Sequence, residues 1–518
     1  MDLDAYRRSA QAFLSELLAE EYRHYAGLKE DFAIEAVYER HGELFARGAV
    51  DSLRSLLDAA PDGSERRRGL RMLLEFAVDG LIGQATKAIE AELAGREASL
   101  SITVDGQQLG FRESAVAQAN EPDPSRRMMI ESARLALIDA DLGSLYVERL
   151  RAQHDTARQL GFASYRDLCS DCKDYDLAGL HAQTSRFSAA TEGVYRQVVE
   201  PALAATLGIE LTELRRADLP RLFRACEQDC HYPAQRLVPS FRDTMYGLGI
   251  ALGEQRGVVL DVEPRPGKSP RAFCAPVRVP GEVYLVIAPV GGRDDFVALF
   301  HEGGHAQHAA HVDPALPFEF RHLGDNAITE AFAFLVEHLA EDPEWLARRL
   351  GVDDAAAVEL SSHARAVRLM YLRRYAAKLA YELELHGADA DGLEPRGAAA
   401  DGLEPHGTAA DGLEQLADRY AALLSAALQI EWPREMFLAD VDPGFYCSCY
   451  LRAWALETHL RAHLRGHYGA AWFESPHAGD ELRALWREGQ RLTPEELLAR
   501  FSSQPLEFGV LLSDLGLA

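Results

Sequence analysis

A chain of 518 residues is too long for one simple core, so two lobes or two closely fused domains are expected. The apolar fraction of 47% is an ordinary globular value, no window approaches the run of about 20 apolar residues that a bilayer span needs, and the opening MDLDAYRRSAQAFLSELLAEEYRHY never builds a secretory signal. A soluble, cytoplasmic protein without a membrane partner follows, and a net charge of -27 argues against nucleic acid, whose phosphates call for clustered Lys and Arg.

From Asp2 to about residue 260 apolar residues recur at three and four, as in AQAFLSELLAEEY and MLLEFAVDGLIGQATKAIEAEL, which predicts a mainly α architecture. We place an N-terminal helical lobe at 1–195 and a catalytic helical lobe at 196–518. Cys169 and Cys172, with Cys226 and Cys230, offer two pairs of thiols. The second pair has helical spacing and no knuckle glycines, so buried, reduced thiols are expected rather than a four-thiolate zinc site. Between Arg271 and Pro289 the character changes, and AFCAPVRVP and EVYLVIAP read as two strands joined by a turn at Pro280-Gly281. This small hairpin is the one β element expected. Two readings of its edge near Phe273 to Val277 stay open, a strand-adding site for an extended peptide and an ordinary covered hairpin.

Helical periodicity resumes in VGGRDDFVALFHEGGHAQHAAH, where Asp294 or Asp295 is expected to cap a helix that begins just before Phe296. His301 and His305 lie four apart, one turn along the same face, so both imidazoles can reach one tetrahedral zinc ion. Glu302, beside the first histidine, is placed to take a proton from a zinc-bound water. Gly303 and Gly304 in mid-helix cost about 1 kcal/mol each relative to Ala, so close packing against another backbone is expected to require them. Two residues compete as third ligand. His311 has a metzincin-like offset but lacks the intervening glycine turn, so the helix is expected to carry it off the ligand face. Glu330 stands early in a new helical run, NAITEAFAFLVEHL, that Asp325 or Asn326 can cap, and completes a His2Glu set with an open fourth position. Glu337, on the same face, is expected to be a solvated glutamate rather than a partner of a ligand histidine. Further on, DGLEPRGAAA, DGLEPHGTAA and DGLEQLADRY repeat with a period of ten, and 386–412 reads as a mobile surface insertion.

The chain resembles the thimet oligopeptidase and oligoendopeptidase F family of metallopeptidases in FHEGGHAQH and in the spacing to TEAFAFLVEH. The likeness extends to GKSPRAFCAPV, VYLVIAP and WPREMFLADVDPGFYCSCYLRAW, so it spans roughly Gly267 to Trp454. The resemblance implies two mostly helical lobes around a deep channel with one zinc ion at its floor, cleaving short unfolded peptides at internal bonds. It also implies oxyanion-stabilising tyrosines, for which FYCSCYLRAW supplies Tyr446 and Tyr450. The family's histidine a few residues before these tyrosines is missing from LADVDPG. A helical metallocarboxypeptidase of the thermostable type ranks second, and a non-catalytic helical binding protein that keeps zinc as structure ranks third.

Overall fold

The periodic apolar segments become long helices in the computed structural model, which describes residues 1–387 and 409–517. Helix α1 (Leu3–Tyr25) starts where the Asp2 carboxylate accepts the N–H groups of Asp4 and Ala5, and α2 (Glu65–Ser99) starts at the Ser64 hydroxyl. The elements that position the candidate site follow in order. They are α3 (Ala234–Gly247), α4 (Arg293–His311), α5 (Asn326–Glu337), α6 (Asp354–Leu385), α7 (Ala409–Leu428) and α8 (Tyr446–Tyr468).

Apolar side chains collect in two large cores and a small cluster of Ile102, Val104 and Ile130, in the expected mainly α, two-lobed arrangement. The larger core takes residues from Tyr6 to Leu222, Phe318, then residues from Ala366 to Leu451, and the C-terminal Phe508, Leu511 and Leu515. The smaller is built on α3, α4, α5 and the later turns of α8. Both sides of position 195 therefore contribute to the larger core. Helix α6 crosses from one to the other, with Ala357 and Leu360 in the smaller and Leu369, Met370 and Leu379 in the larger.

Two points of β structure differ from expectation. A second hairpin, β1 (Ser101–Val104) with β2 (Gln107–Gly110), turns at Asp105-Gly106, where both residues have positive φ. Asp-Gly between short runs is a strong hairpin signal, here masked by the surrounding helical pattern. The expected pair, β4 (Phe273–Arg278) and β5 (Glu282–Val286), forms as an antiparallel hairpin. It gains a third strand, β3 (Val258–Asp261), parallel to β5, from the end of the stretch read as helical. Strand order is β3-β5-β4, so β4 is an edge. Of the 386–412 insertion, His386 is buried at the end of α6 and α7 is already helical from Ala409, while the repeats between lie outside the described residues. Among the described residues no helix is long and apolar enough to cross a membrane.

The segment that launches α8 is pinned by charge. Asp440 takes Arg374 through both oxygens at 2.6 and 2.7 Å and the Tyr420 hydroxyl at 2.7 Å, and Lys378 reaches Asp442 at 2.7 Å. Glu382 accepts the Asp442 N–H at 2.8 Å and the Cys447 thiol at 3.2 Å. The chain then turns through Gly444 and Phe445, both left-handed, and the non-glycine member is held by full burial of its ring. Burial pushes Glu382 up to about 8, against the pull of Lys378. Its folded pKa is thus above its unfolded value, so stability is greatest below about pH 4.5 for this group and declines as pH rises towards 8. Glu382→Gln keeps an oxygen for the Asp442 N–H and cannot ionise. Its melting temperature should exceed that of the wild type by about 2 °C or more at pH 8, with the gap closing towards pH 5 in thermal scans; a pH-independent gap would contradict the assignment.

Candidate metal and catalytic centre

Helix α4 begins on Gly292, at φ 89, and no side chain within it supplies the cap. The expected Asp294 or Asp295 cap is replaced by Asp229, which accepts the Arg293 N–H at 2.9 Å. Asp295 instead turns back to the N–H groups of Val290 and Gly291, and Asp294 faces Arg224. The helix runs on to His311, whose Nδ1 lies 2.8 Å from the Gln307 carbonyl and whose ring packs near Trp486, outside the group formed by His301, His305 and Glu330. Helix α5 starts as expected, with the Asp325 carboxylate accepting the Ala327 N–H at 2.9 Å.

These two helices cross in backbone contact at Gly304. A Cβ there would lie 2.6 Å from the Ala333 Cα and 2.8 Å from the Phe332 carbonyl oxygen, so no larger residue fits. Gly303 is filled on its side by the Phe241 ring, 2.4 Å from where a Cβ would stand. The close crossing brings Glu330 to the histidine face. Its Oε2 lies 3.4 Å from His301 Nε2 and 3.7 Å from His305 Nε2, and one donor atom from each residue falls within 4.8 Å of the others.

Each group is held from behind. Glu337 lies 2.6 Å from His301 Nδ1, so the glutamate expected to be solvated instead orients that imidazole. The Thr329 hydroxyl lies 3.0 Å from His305 Nδ1, and the Tyr446 hydroxyl donates to Glu330 Oε1 at 2.8 Å. Among the protein's own groups, burial pulls His305 down to about 4, leaving it neutral. Burial also lowers His301, but the facing carboxylates of Glu330 and Glu337 outweigh it and raise it to about 10. Burial raises Glu330, yet the two histidines and Tyr446 hold it below the usual carboxylate range, so it is ionised. Its Oε2 is nevertheless buried without a hydrogen-bond partner. An ionised, orphaned oxygen facing two imidazole nitrogens is a donor set that a cation satisfies, and two nitrogens with one carboxylate oxygen suit zinc.

Glu302 lies within electrostatic reach of His301 and Glu330. Its Oε2 accepts the Cys274 N–H of β4 at 2.9 Å, and burial pushes it up to about 7 although His301 and that N–H pull it down. The edge of β4, one of whose two readings is a peptide-binding strand, has therefore already given the Cys274 N–H to Glu302, and Pro276 brings none. A cavity of about 710 Å³ opens beside His301, lined by Leu219 and Phe223 from the side of the larger core and by Phe334 and Tyr450 opposite. A second, of about 430 Å³, includes Tyr446 and Asp79 in its wall. The Tyr450 hydroxyl has no hydrogen-bond partner among the described residues; its ring packs against Phe334, Tyr375 and Tyr446. All seven cysteines are free, and the two weighed pairs do not form a cluster. The described residues hold one other candidate group, Glu382, Asp442 and Cys447, where Lys378 already occupies Asp442.

No family profile matches the sequence, and no curated protein matches it. The fold is similar to the crystal structure of a candidate oligoendopeptidase F from Bacillus anthracis str. Ames, with a TM-score of 0.68 at 15% identity over 98% of this chain and 88% of that one. At this identity the likeness concerns the fold.

Gly304→Ala tests the geometry. The added methyl meets backbone, so the helices must part, at a cost of about 1–3 kcal/mol. Zinc affinity, measured by chelator competition, should fall together with the melting temperature; unchanged affinity would mean that the crossing does not set the donor positions.

Proposed function

We propose that this chain is a zinc-dependent peptidase that hydrolyses internal bonds of short, unfolded peptides in the cytoplasm. The observation that carries the reading is the half-buried carboxylate of Glu302 next to the convergent His301, His305 and Glu330. A structural metal site has no use for a base at that position. Free thiols throughout agree with a reducing compartment.

A zinc ion held by His301, His305 and Glu330 would supply a Lewis acid that polarises a carbonyl and lowers the pKa of water. The chain's own groups do the rest. Glu302, steadied through Oε2 by the Cys274 N–H, accepts a proton from the attacking water and passes it to the leaving nitrogen. Tyr450, with its hydroxyl unspent, donates to the oxygen that gains charge on the scissile carbonyl. Tyr446 acts on Glu330, which its single O–H holds in place. A cavity of about 710 Å³ beside His301 admits a short peptide segment and has no room for a folded chain.

At equal zinc content, Glu302→Gln should lose about 10²-fold or more in kcat on a quenched peptide blocked at both ends, and equal rates would remove the mechanism. Release of single C-terminal residues, with no cut inside a blocked peptide, would favour the carboxypeptidase reading. The tyrosines should separate by assay. Tyr450→Phe is expected to lower kcat about 10²- to 10³-fold with zinc affinity intact. Tyr446→Phe should weaken zinc binding about tenfold or more. Chelator titration beside steady-state kinetics checks both, and a loss of zinc confined to Tyr450→Phe would reverse the roles.

A further inference from the structure

The cavity beside His301 has a built wall that the proposed chemistry does not use. Trp432 is almost fully buried, and its indole N–H donates to the Tyr420 hydroxyl at 2.9 Å. That hydroxyl donates to Asp440, and Asp440 binds Arg374, so ring and guanidinium are fixed in one network. Arg374 stands 5.8 Å from the Trp432 ring centroid, and Arg216 stands 5.6 Å from it. All three residues line the cavity.

Each arginine is tethered by one nitrogen. Arg216 uses Nη1 on Glu131, at 2.6 Å to both oxygens, and Arg374 uses Nη2 on Asp440. Neither Glu131 nor Asp440 is part of the cavity lining. Nε and the other Nη of both side chains have no partner among the described residues. The acids that do line the cavity are spent elsewhere: Asp294 faces Arg224, Glu341 takes Arg293, and Glu337 takes His301. In a protein of net charge -27, this wall presents two oriented guanidiniums with spare donors. Arg216 keeps its Nε–Nη2 edge free for a carboxylate fork, Arg374 keeps Nε and Nη1 as oriented single donors, and tethered donors of this kind lose little freedom on binding a carboxylate.

We propose that Arg216 and Arg374, set by Trp432, are specificity residues that bind a carboxylate of the peptide segment lying in this cavity. The inference rests on the peptidase reading for its substrate, but it concerns binding. The carboxylate belongs either to a free C-terminus or to an acidic side chain.

Three N-acetylated hexapeptides of alanine and phenylalanine separate these sources: one with a free C-terminus, its amide, and an amide ending in Asp. Their dissociation constants are measured by calorimetry on zinc-loaded Glu302→Gln protein, which retains the wall. The free acid should bind about tenfold more tightly than its amide. If the Asp amide recovers the affinity, the side chain is an accepted source; if it does not, the C-terminus is the one read. Arg374→Lys keeps a cation for Asp440 but lacks the spare oriented donors, and it should abolish most of the difference, as should Arg216→Lys. Equal affinity for the acid and both amides overturns the proposal, even if the wild type cleaves all three and the peptidase reading stands. Preferential binding of the acid without any cleavage by the wild type would support this site while removing the peptidase reading.

Discussion

The arrangement depends on one contact, the crossing of α4 and α5 with no side chain between them at Gly304. A Cβ 2.6 Å from the Ala333 Cα has nowhere to go, so the crossing is available to glycine alone. Because the helices meet there, Glu330 on α5 reaches the face of α4 that carries His301 and His305. The free-energy cost of a mid-helix glycine, about 1 kcal/mol, is offset by a packing distance that no other residue allows.

That closeness creates an electrostatic problem that the surroundings manage in layers. Glu330 is ionised and buried, with one oxygen given to Tyr446 and the other left facing the imidazoles. Glu337 and Thr329 hold the outer nitrogens of the two histidines, which turns both inner nitrogens towards the carboxylate. Tyr446 is in turn delivered by α8, whose first turn is placed by Asp440 and Asp442 acting on Arg374 and Lys378. The same arginine reaches the wall of the large cavity. The facing side chains of His301, His305 and Glu330, the large cavity and the segment 438–444 are thus mechanically connected through α6 and α8.

Much of this was legible in the residue order. The spacing of His301 and His305, the capped restart before Glu330, the hairpin at Pro280-Gly281 and the reason for Gly304 all follow from local rules, because periodicity and caps act within a few residues. What was not legible depends on residues far apart in the chain. Asp229 caps α4 from a preceding 3-10 turn, and no sequence signal near Asp294 points to it. Glu337 at 2.6 Å from His301 looked like a solvated glutamate because its partner lies on another helix. The β1–β2 hairpin had a signal in Asp105-Gly106 that helical surroundings obscured. The Arg216–Trp432–Arg374 wall joins three separate segments and leaves no pattern in any of them.

The most direct test of the account is where a metal ion goes. Crystals of the zinc-loaded protein should give, at the zinc absorption edge, one anomalous peak within about 2.0–2.2 Å of His301 Nε2, His305 Nε2 and a Glu330 oxygen. A peak elsewhere, or stoichiometric zinc with the Glu330 side chain turned from both imidazoles, would contradict it.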